Sequence, residues 1–324
     1  MNDLMESFEP HPLVRGGIMQ TIFAAKMTET LELPSRVRHR VELGRNSALM
    51  VFELERQNSA RPQVLLAHGM GGCSESPYMV RVARKLWADG FGVFMMNHRG
   101  SGPGIGLCDR LWNGGSSGDL DDVVRFIVRR HPRDSVLIVG FSLSGNILLK
   151  YLGEGRMVPS NVAGAFAVNP PVDLKVASLM LSEGRFAAIF NGYYMKMIRR
   201  QAQALVECFP GAFHPPVDSR TIREFDEKYT ALAAGFKDVE EYYSQCSANR
   251  FIEFIRVPTV LLSARDDPFV PPEDFQRVPM SPSVRYYAPD EGGHLGYIAK
   301  DVTPLGDRRW MDHVLVEWAR AGGY

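Results

Sequence analysis

Gly140-Phe141-Ser142-Leu143-Ser144-Gly145 follows the apolar run Val136 to Val139 and opens into the helix-like stretch Asn146 to Leu152. A serine at such a strand-to-helix turn is held on a sharp, exposed elbow beside the free N–H groups of the helix N-terminus, which suits an attacking oxygen. The pattern is Gly-x-Ser-x-Ser followed by Gly, so Ser144 stands where such elbows usually carry a second glycine. Serine is small enough to keep the turn tight. Alone, Ser142 reads as readily as a helix cap; partners elsewhere in the chain decide the matter.

A nucleophilic hydroxyl needs a base to take its proton and an acid to orient that base. Both follow in the chain order Ser, Asp, His. After the apolar run Thr259 to Leu262 comes Ser263-Ala264-Arg265-Asp266-Asp267-Pro268-Phe269-Val270-Pro271, which sets carboxylates just beyond a strand end. Beyond the strand-like Val284 to Ala288, Glu291-Gly292-Gly293-His294-Leu295-Gly296 puts a histidine in a glycine-flanked loop whose backbone can swing the imidazole inward. Asp266 and Asp267 compete for one role, because neighbouring side chains on an extended segment point opposite ways. His294 is one of eight histidines, and its place in this order marks it as the base. Upstream, the buried-strand run Val64 to Ala67 leads into His68-Gly69-Met70-Gly71-Gly72.

These stretches, with Phe8 to Thr21, Asn97-His98-Arg99-Gly100 and Tyr242 to Arg250, resemble the α/β-hydrolases (AB hydrolase superfamily), and within them the YheT-like AB hydrolase 4 family. The resemblance spans nearly the whole chain. It implies an α/β-hydrolase fold: a mostly parallel eight-stranded sheet flanked by helices, with a helical cap insertion. It implies a serine esterase with Ser142, Asp267 and His294 as catalytic residues, since the family form Asp-x-x-Val-Pro matches Asp267; Asp266 is then a surface turn residue. The His-Gly run implies an oxyanion hole formed by the N–H groups of Met70 and Leu143, the latter following the nucleophile. Ser144, flanked by Ser142 and Asn146, is read as structural, and His68 and His98 as loop braces.

Short apolar or alternating runs supply the strands: Val37 to Leu43, Ala48 to Leu54, Val64 to Ala67, Val93 to Met96, Val136 to Val139, Ala165 to Val168, Thr259 to Leu262 and Val284 to Ala288. The first two alternate, as an antiparallel edge hairpin with its turn near Gly44 to Ser47 should; the later ones are continuous, as parallel central strands covered on both faces should be. Helical patterns lie between them at Pro77 to Asp89, Leu120 to Arg130 and Arg309 to Arg320, and the alternation of strand and helix is the mark of a doubly wound sheet. From Pro170 to Arg256 helix-like sequence continues without a convincing strand. The expected division is therefore a core from 1 to 169, a cap from 170 to 256, and the rest of the core from 257 to 324. The apolar, aromatic stripe of Val176 to Arg200 reads first as packing against the sheet and second as the wall of an acyl pocket.

With 324 residues, 45% of them hydrophobic, the chain can bury one large core. Lys plus Arg and Asp plus Glu are 37 each, so no charge excess points to nucleic acid. Cys73, Cys108, Cys208 and Cys246 fall into no metal-ligand spacing and read as reduced thiols of a cytoplasmic protein. No apolar run approaches a membrane span and no secretory leader pattern opens the chain, while peripheral membrane contact stays open. Gly100 to Gly106 lacks the Gly-x-Gly-x-x-Gly interval, Gly140 to Gly145 lacks the Lys and Ser or Thr of a phosphate loop, and there is no His-Glu-x-x-His. The expectation is an ester hydrolase without metal or cofactor, acting on a small-molecule ester of short or medium acyl chain. A lipase or phospholipase is the nearest alternative, and a silent binding protein of the same fold is the alternative from another class.

Overall fold

The computed structural model describes residues 5, 8–27, 32–44, 47–57, 61–216 and 218–323. Eight strands form one sheet: β1 (Val37–Gly44), β2 (Ser47–Leu54), β3 (Gln63–Ala67), β4 (Gly92–Met96), β5 (Val136–Phe141), β6 (Val162–Val168), β7 (Thr259–Leu262) and β8 (Val284–Tyr287), in the spatial order β1-β2-β4-β3-β5-β6-β7-β8. β2 runs antiparallel to both β1 and β4, and all other neighbours are parallel. The tip of the first hairpin, Arg45-Asn46, lies outside the described residues.

Alternation along β5 shows why the central runs are unbroken apolar sequence. Val136 and Ile138 enter the core on one face, and Leu137, Val139 and Phe141 enter the core on the other. Helix α1 (Gly17–Lys26) precedes the sheet. On one face α2 (Pro77–Ala88) carries Met79, Val82 and Leu86, beside Val314 and Trp318 of the C-terminal helix. On the other face lie α3 (Ser117–Arg130), with Val123, Val124 and Ile127, and α4 (Leu143–Gly153), with Ile147 and Leu148.

Among the described residues between β6 and β7 the regular elements are helical, with α5 (Leu174–Glu183), α6 (Ala187–Cys208), α7 (Ile222–Phe225) running through a π turn (Asp226–Thr230), and α8 (Val239–Cys246). The last helix is α9 (Trp310–Arg320). Because β3 and β5 to β8 are parallel, their carboxyl ends deliver the loops after Ala67, Phe141, Val168, Leu262 and Tyr287 to one edge of the sheet.

The expected antiparallel hairpin stands at the edge of the sheet, yet β2 has no solvent face: Leu49 and Val51 join the core on the α3 side, Phe52 and Leu54 join it on the α2 side, and only Met50 is half-buried. Its charged residue, Glu53, is 2% exposed and sits among Nε2 of His39 at 2.7 Å, Nε of Arg130 at 2.8 Å and Nε2 of His131 at 3.1 Å.

Asp312 of α9 is fully buried, bonded by the Arg81 guanidinium at 3.2 Å through Nη2 and by Lys85 Nζ at 2.7 Å. Burial alone would raise its pKa, but the charges of Arg81 and Lys85 outweigh this and hold it below the usual carboxylate range. Removing one member of such a group strands buried charge. Asp312→Ala should therefore cost about 3–5 kcal/mol in urea unfolding at pH 7; a loss below about 1 kcal/mol would show that α9 docks on α2 by apolar contact alone.

Candidate active site

Gly140 brings β5 to its end against the start of α4: a Cβ there would meet the Ser144 carbonyl oxygen at 2.5 Å. The chain then turns through Ser142, whose backbone (φ 53°, ψ −122°) lies outside the regions open to most L-residues. Sheet pairing holds it there, since the Ser142 N–H donates to Val168 O at 2.8 Å. The Gly145 N–H donates to Ser142 O at 2.7 Å, and a Cβ on Gly145 would meet Pro170 Cβ at 2.9 Å. Glycine is thus required at 140 and 145.

The structure brings Ser142, His294 and Asp267 together. His294 Nε2 lies 2.8 Å from Ser142 Oγ, and His294 Nδ1 lies 2.7 Å from Asp267 Oδ2. The side chains of His294 and Asp267 are 5% and 0% exposed. Asp267 is saturated with donors: the Phe269 and Val270 N–H groups reach Oδ1 at 2.9 and 3.2 Å, and Asn169 Nδ2 reaches Oδ2 at 2.7 Å.

Asp266 departs from its expected place. It lies in a turn, as expected, but half-buried rather than at the surface: its Oδ1 accepts the Gly293 N–H at 2.8 Å, its Oδ2 is buried, and burial pushes its carboxyl up to about 6. The loop after β7 folds back under α1, so close that a Cβ on Gly17 would fall 1.7 Å from the Asp266 carbonyl oxygen. Asp266 thus braces the histidine loop from behind while Asp267 faces the imidazole.

Ser144 does more than substitute for glycine. Its hydroxyl donates to the His68 carbonyl and lies 2.7 Å from His98 Nε2, so that Nε2 must carry the proton. The His98 N–H donates to His68 Nε2 at 3.2 Å, which leaves His68 Nδ1–H to donate to Gly69 O at 2.9 Å. His98 also stacks on Trp112 at 4.0 Å. Burial lowers His68 to about 4 and His98 well below its ordinary value, so both rings are neutral braces that lock the loop after β3 onto the elbow. That loop approaches so closely that a Cβ on Gly69 would lie 3.0 Å from Ser142 Cβ. The next residue, Met70, and Leu143 have no protein acceptor for their N–H groups among the described residues.

Three contributors escaped the sequence reading. Asn169, at φ 45°, ties Asp267 to the histidine loop: its Nδ2 also donates to Gly293 O at 3.1 Å, and its Oδ1 accepts the Leu295 N–H at 3.2 Å. Thr21 Oγ1 accepts the His294 N–H at 2.8 Å while donating to Gly17 O at 2.6 Å. Gln20, fully buried, accepts the Ile298 N–H at 2.7 Å and donates to Ile298 O at 3.2 Å. Gln20 and Thr21 close the stretch Phe8 to Thr21 that carries the family resemblance, and their purpose appears only when α1 is seen against the loop.

Two cavities meet at Ser142 and His294. The smaller, about 100 Å³, runs beneath α5, α7 and α8; the larger, about 430 Å³, lies between α1, the 69–72 loop and α6. Part of the Val176 to Arg200 stripe, including Ala177, Leu181, Phe190 and Tyr194, lines them, because α5 and α6 cross the carboxyl edge of the sheet rather than its face. Several of the same side chains also pack into the main core, so the stripe both packs against the sheet domain and lines the cavities.

Residues 62–301 match the family described as alpha/beta hydrolase fold. The chain belongs to that family. This hydrolase is of the YheT-like type: it is 29% identical to YheT of Escherichia coli K12 over 273 residues, covering 81% of this chain and 77% of that one. It is 27% identical to monoacylglycerol lipase ABHD2 of Homo sapiens, covering 96% and 79% of the two chains. It is 29% identical to medium-chain fatty acid ethyl ester synthase/esterase 2 of Saccharomyces cerevisiae, covering 79% and 61%. Among solved structures the Pyrococcus furiosus esterase Pf2001 shares the fold, with a TM-score of 0.59 at 16% identity over 91% of this chain and 98% of that one. Among the described residues no helix is long and apolar enough to cross a membrane, and all four cysteines are free.

Thr21→Val keeps the shape and deletes the acceptor for the His294 N–H. It should lower kcat about tenfold, the worth of one hydrogen bond of about 1–1.5 kcal/mol, with little change in KM; Thr21→Ser should restore it, and steady-state kinetics on the three proteins checks this. For Asp266 the sign follows from its raised pKa: the neutral form is favoured by folding, so its stabilising contribution is present below pH about 4 and is lost as pH rises through about 6. Asp266→Asn should therefore gain in relative stability between pH 4 and pH 7.5, and thermal unfolding at the two pH values reads the difference directly.

Proposed function

We propose that this hydrolase cleaves carboxylic esters of short or medium acyl chains, with Ser142 as nucleophile, His294 as base and Asp267 as the orienting acid. The observation that carries this reading is the unbroken hydrogen-bond chain from Asp267 through His294 to Ser142, 2.7 and 2.8 Å long, at the mouth of two cavities. His294 Nε2 takes the Ser142 proton as Oγ attacks the ester carbonyl, and Asp267 fixes the tautomer and stabilises the imidazolium. The Met70 and Leu143 N–H groups receive the oxyanion, each such donor contributing roughly 10²- to 10³-fold. His294 then protonates the departing alcohol, and water repeats the sequence on the acyl-enzyme to release the acid.

In this reading residues 1–169 and 257–324 form the catalytic body, and 170–256 form a cap that chooses the substrate. The four free thiols agree with a cytoplasmic setting. Lipid esters are a second reading, favoured by Ile189 and Tyr193, which border the larger cavity yet are 54% and 56% exposed. Hydrolysis across acyl lengths, with and without vesicles, separates the two. A silent binding protein of this fold would leave Ser142 unreactive.

A p-nitrophenyl ester should give a burst of product, and a fluorophosphonate probe should label Ser142. Ser142→Ala should abolish both and reduce turnover by about 10⁴-fold or more; undiminished activity in that variant would reject the mechanism.

A further inference from the structure

The smaller cavity is not uniformly apolar. Leu174, Ala177, Leu181, Ile222 and Phe225 line it, but so do Ser178, Asp226 and Tyr243. The carboxyl is put there by a break in helical regularity: Asp226 opens the π turn that continues α7, and such turns recur where side chains are re-aimed for function. The Tyr243 hydroxyl donates to Asp226 Oδ2 at 2.9 Å and lies 2.8 Å from Ser178 Oγ. Ser178 is one turn along α5 from Leu174.

A carboxylate kept in an apolar wall is costly unless donors surround it, and its two oxygens offer about four acceptor positions. Tyr243 and Thr230 supply two donors. Those two bonds leave acceptor positions on the carboxylate unused, and the residue lines the cavity. Burial pushes the carboxyl up to about 6, opposed by those hydrogen bonds and by Arg223, so it is largely ionised at neutral pH and is a strong acceptor. A network that only tied α5, α7 and α8 together would not need to open onto the cavity that holds Ser142 and His294.

The two cavities also differ in size, about 100 against 430 Å³, and in border. The alcohol must leave before water attacks, which suits the larger cavity with its exposed Ile189 and Tyr193 border. The acyl group then stays in the smaller one. We propose that Asp226, supported by Tyr243 and Ser178, forms a subsite for a hydroxyl group on the acyl chain, so that the substrates are esters of hydroxylated acids. This rests on Ser142 being the nucleophile. A neutral hydroxyl, unlike an ammonium group, reaches the carboxylate without stripping water from a full charge.

The test uses ethyl esters of hexanoic acid, of its 3-, 5- and 6-hydroxy derivatives, and of the matching O-methyl ethers, with kcat/KM followed by acid release on the full chain. At least one hydroxy ester should exceed hexanoate by about tenfold, the worth of one hydrogen bond to a charged group, and its O-methyl ether should not. Asp226→Leu should bring that ratio close to one; Asp226→Asn, the milder change should leucine prevent folding, should lower it at least about threefold. Equal rates for all esters, or a ratio unchanged in the Asp226 variants, would overturn the subsite. Failure of the catalytic reading is seen separately, as absent fluorophosphonate labelling. In that event calorimetric binding of the free hydroxy acids against hexanoic acid, to wild type and Asp226→Asn, decides the subsite by the same ratio.

Discussion

The left-handed backbone at Ser142 is the constraint on which the site depends. A non-glycine residue in that region costs on the order of 1–3 kcal/mol, and it persists only because neighbours over-determine it. The β5–β6 ladder fixes its N–H, Gly140 and Gly145 let strand and helix close around it, and Ser144 is anchored from the far side by His68 and His98. The consequence is an Oγ projected beyond the sheet edge while both chain directions stay buried. Loops from four other strands can then approach it without competing for the same space.

Polar groups around this turn divide into a dry structural set and a set connected to the cavities. His68 and His98 are deeply buried, neutral and committed to fixed tautomers by their bonds to each other, to Ser144 and to Gly69. His294 has a carboxylate on one ring nitrogen and a hydroxyl on the other at the junction of two cavities. The same residue type thus serves rigidity in one place and, in the proposed mechanism, proton transfer in the other, where a carboxylate stands beside the ring.

Strand positions were legible because parallel strands covered on both faces must be continuous apolar runs, and all eight runs are strands of the sheet. Ser142, Asp267 and His294 were legible because each follows such a run. What escaped was whatever depended on contact between distant segments. Thr21 and His294 are 273 residues apart in sequence, Gln20 and Ile298 are 278 apart, and Asn169 and Leu295 are 126 apart. No local pattern announces that a hydroxyl will meet a particular N–H. Burial of Asp266 was hidden for the same reason: its neighbour Gly17 belongs to α1, at the other end of the chain. That β2 is buried on both faces was hidden because what covers it is not written in the strand's own sequence.

The asymmetry of the two cavities follows from how the helical segment between β6 and β7 crosses the sheet edge. α5 starts a few residues beyond β6, with Asp173 capping it through bonds from the Lys175 and Val176 N–H groups, so it is pinned close above Ser142 and encloses the small cavity. α6 is much longer and reaches outward past the elbow, where Met197 packs over Gly71 and Phe190 meets Phe269 edge-on at 4.5 Å. Tyr194 lies between them on both walls. The short pinned helix leaves a small chamber and the long overhanging one a larger chamber. Ser142 stands where they join, so a molecule bound across it would meet unlike surroundings: a small chamber carrying Ser178, Asp226 and Tyr243 on one side, and a larger one bordered by exposed Ile189 and Tyr193 on the other.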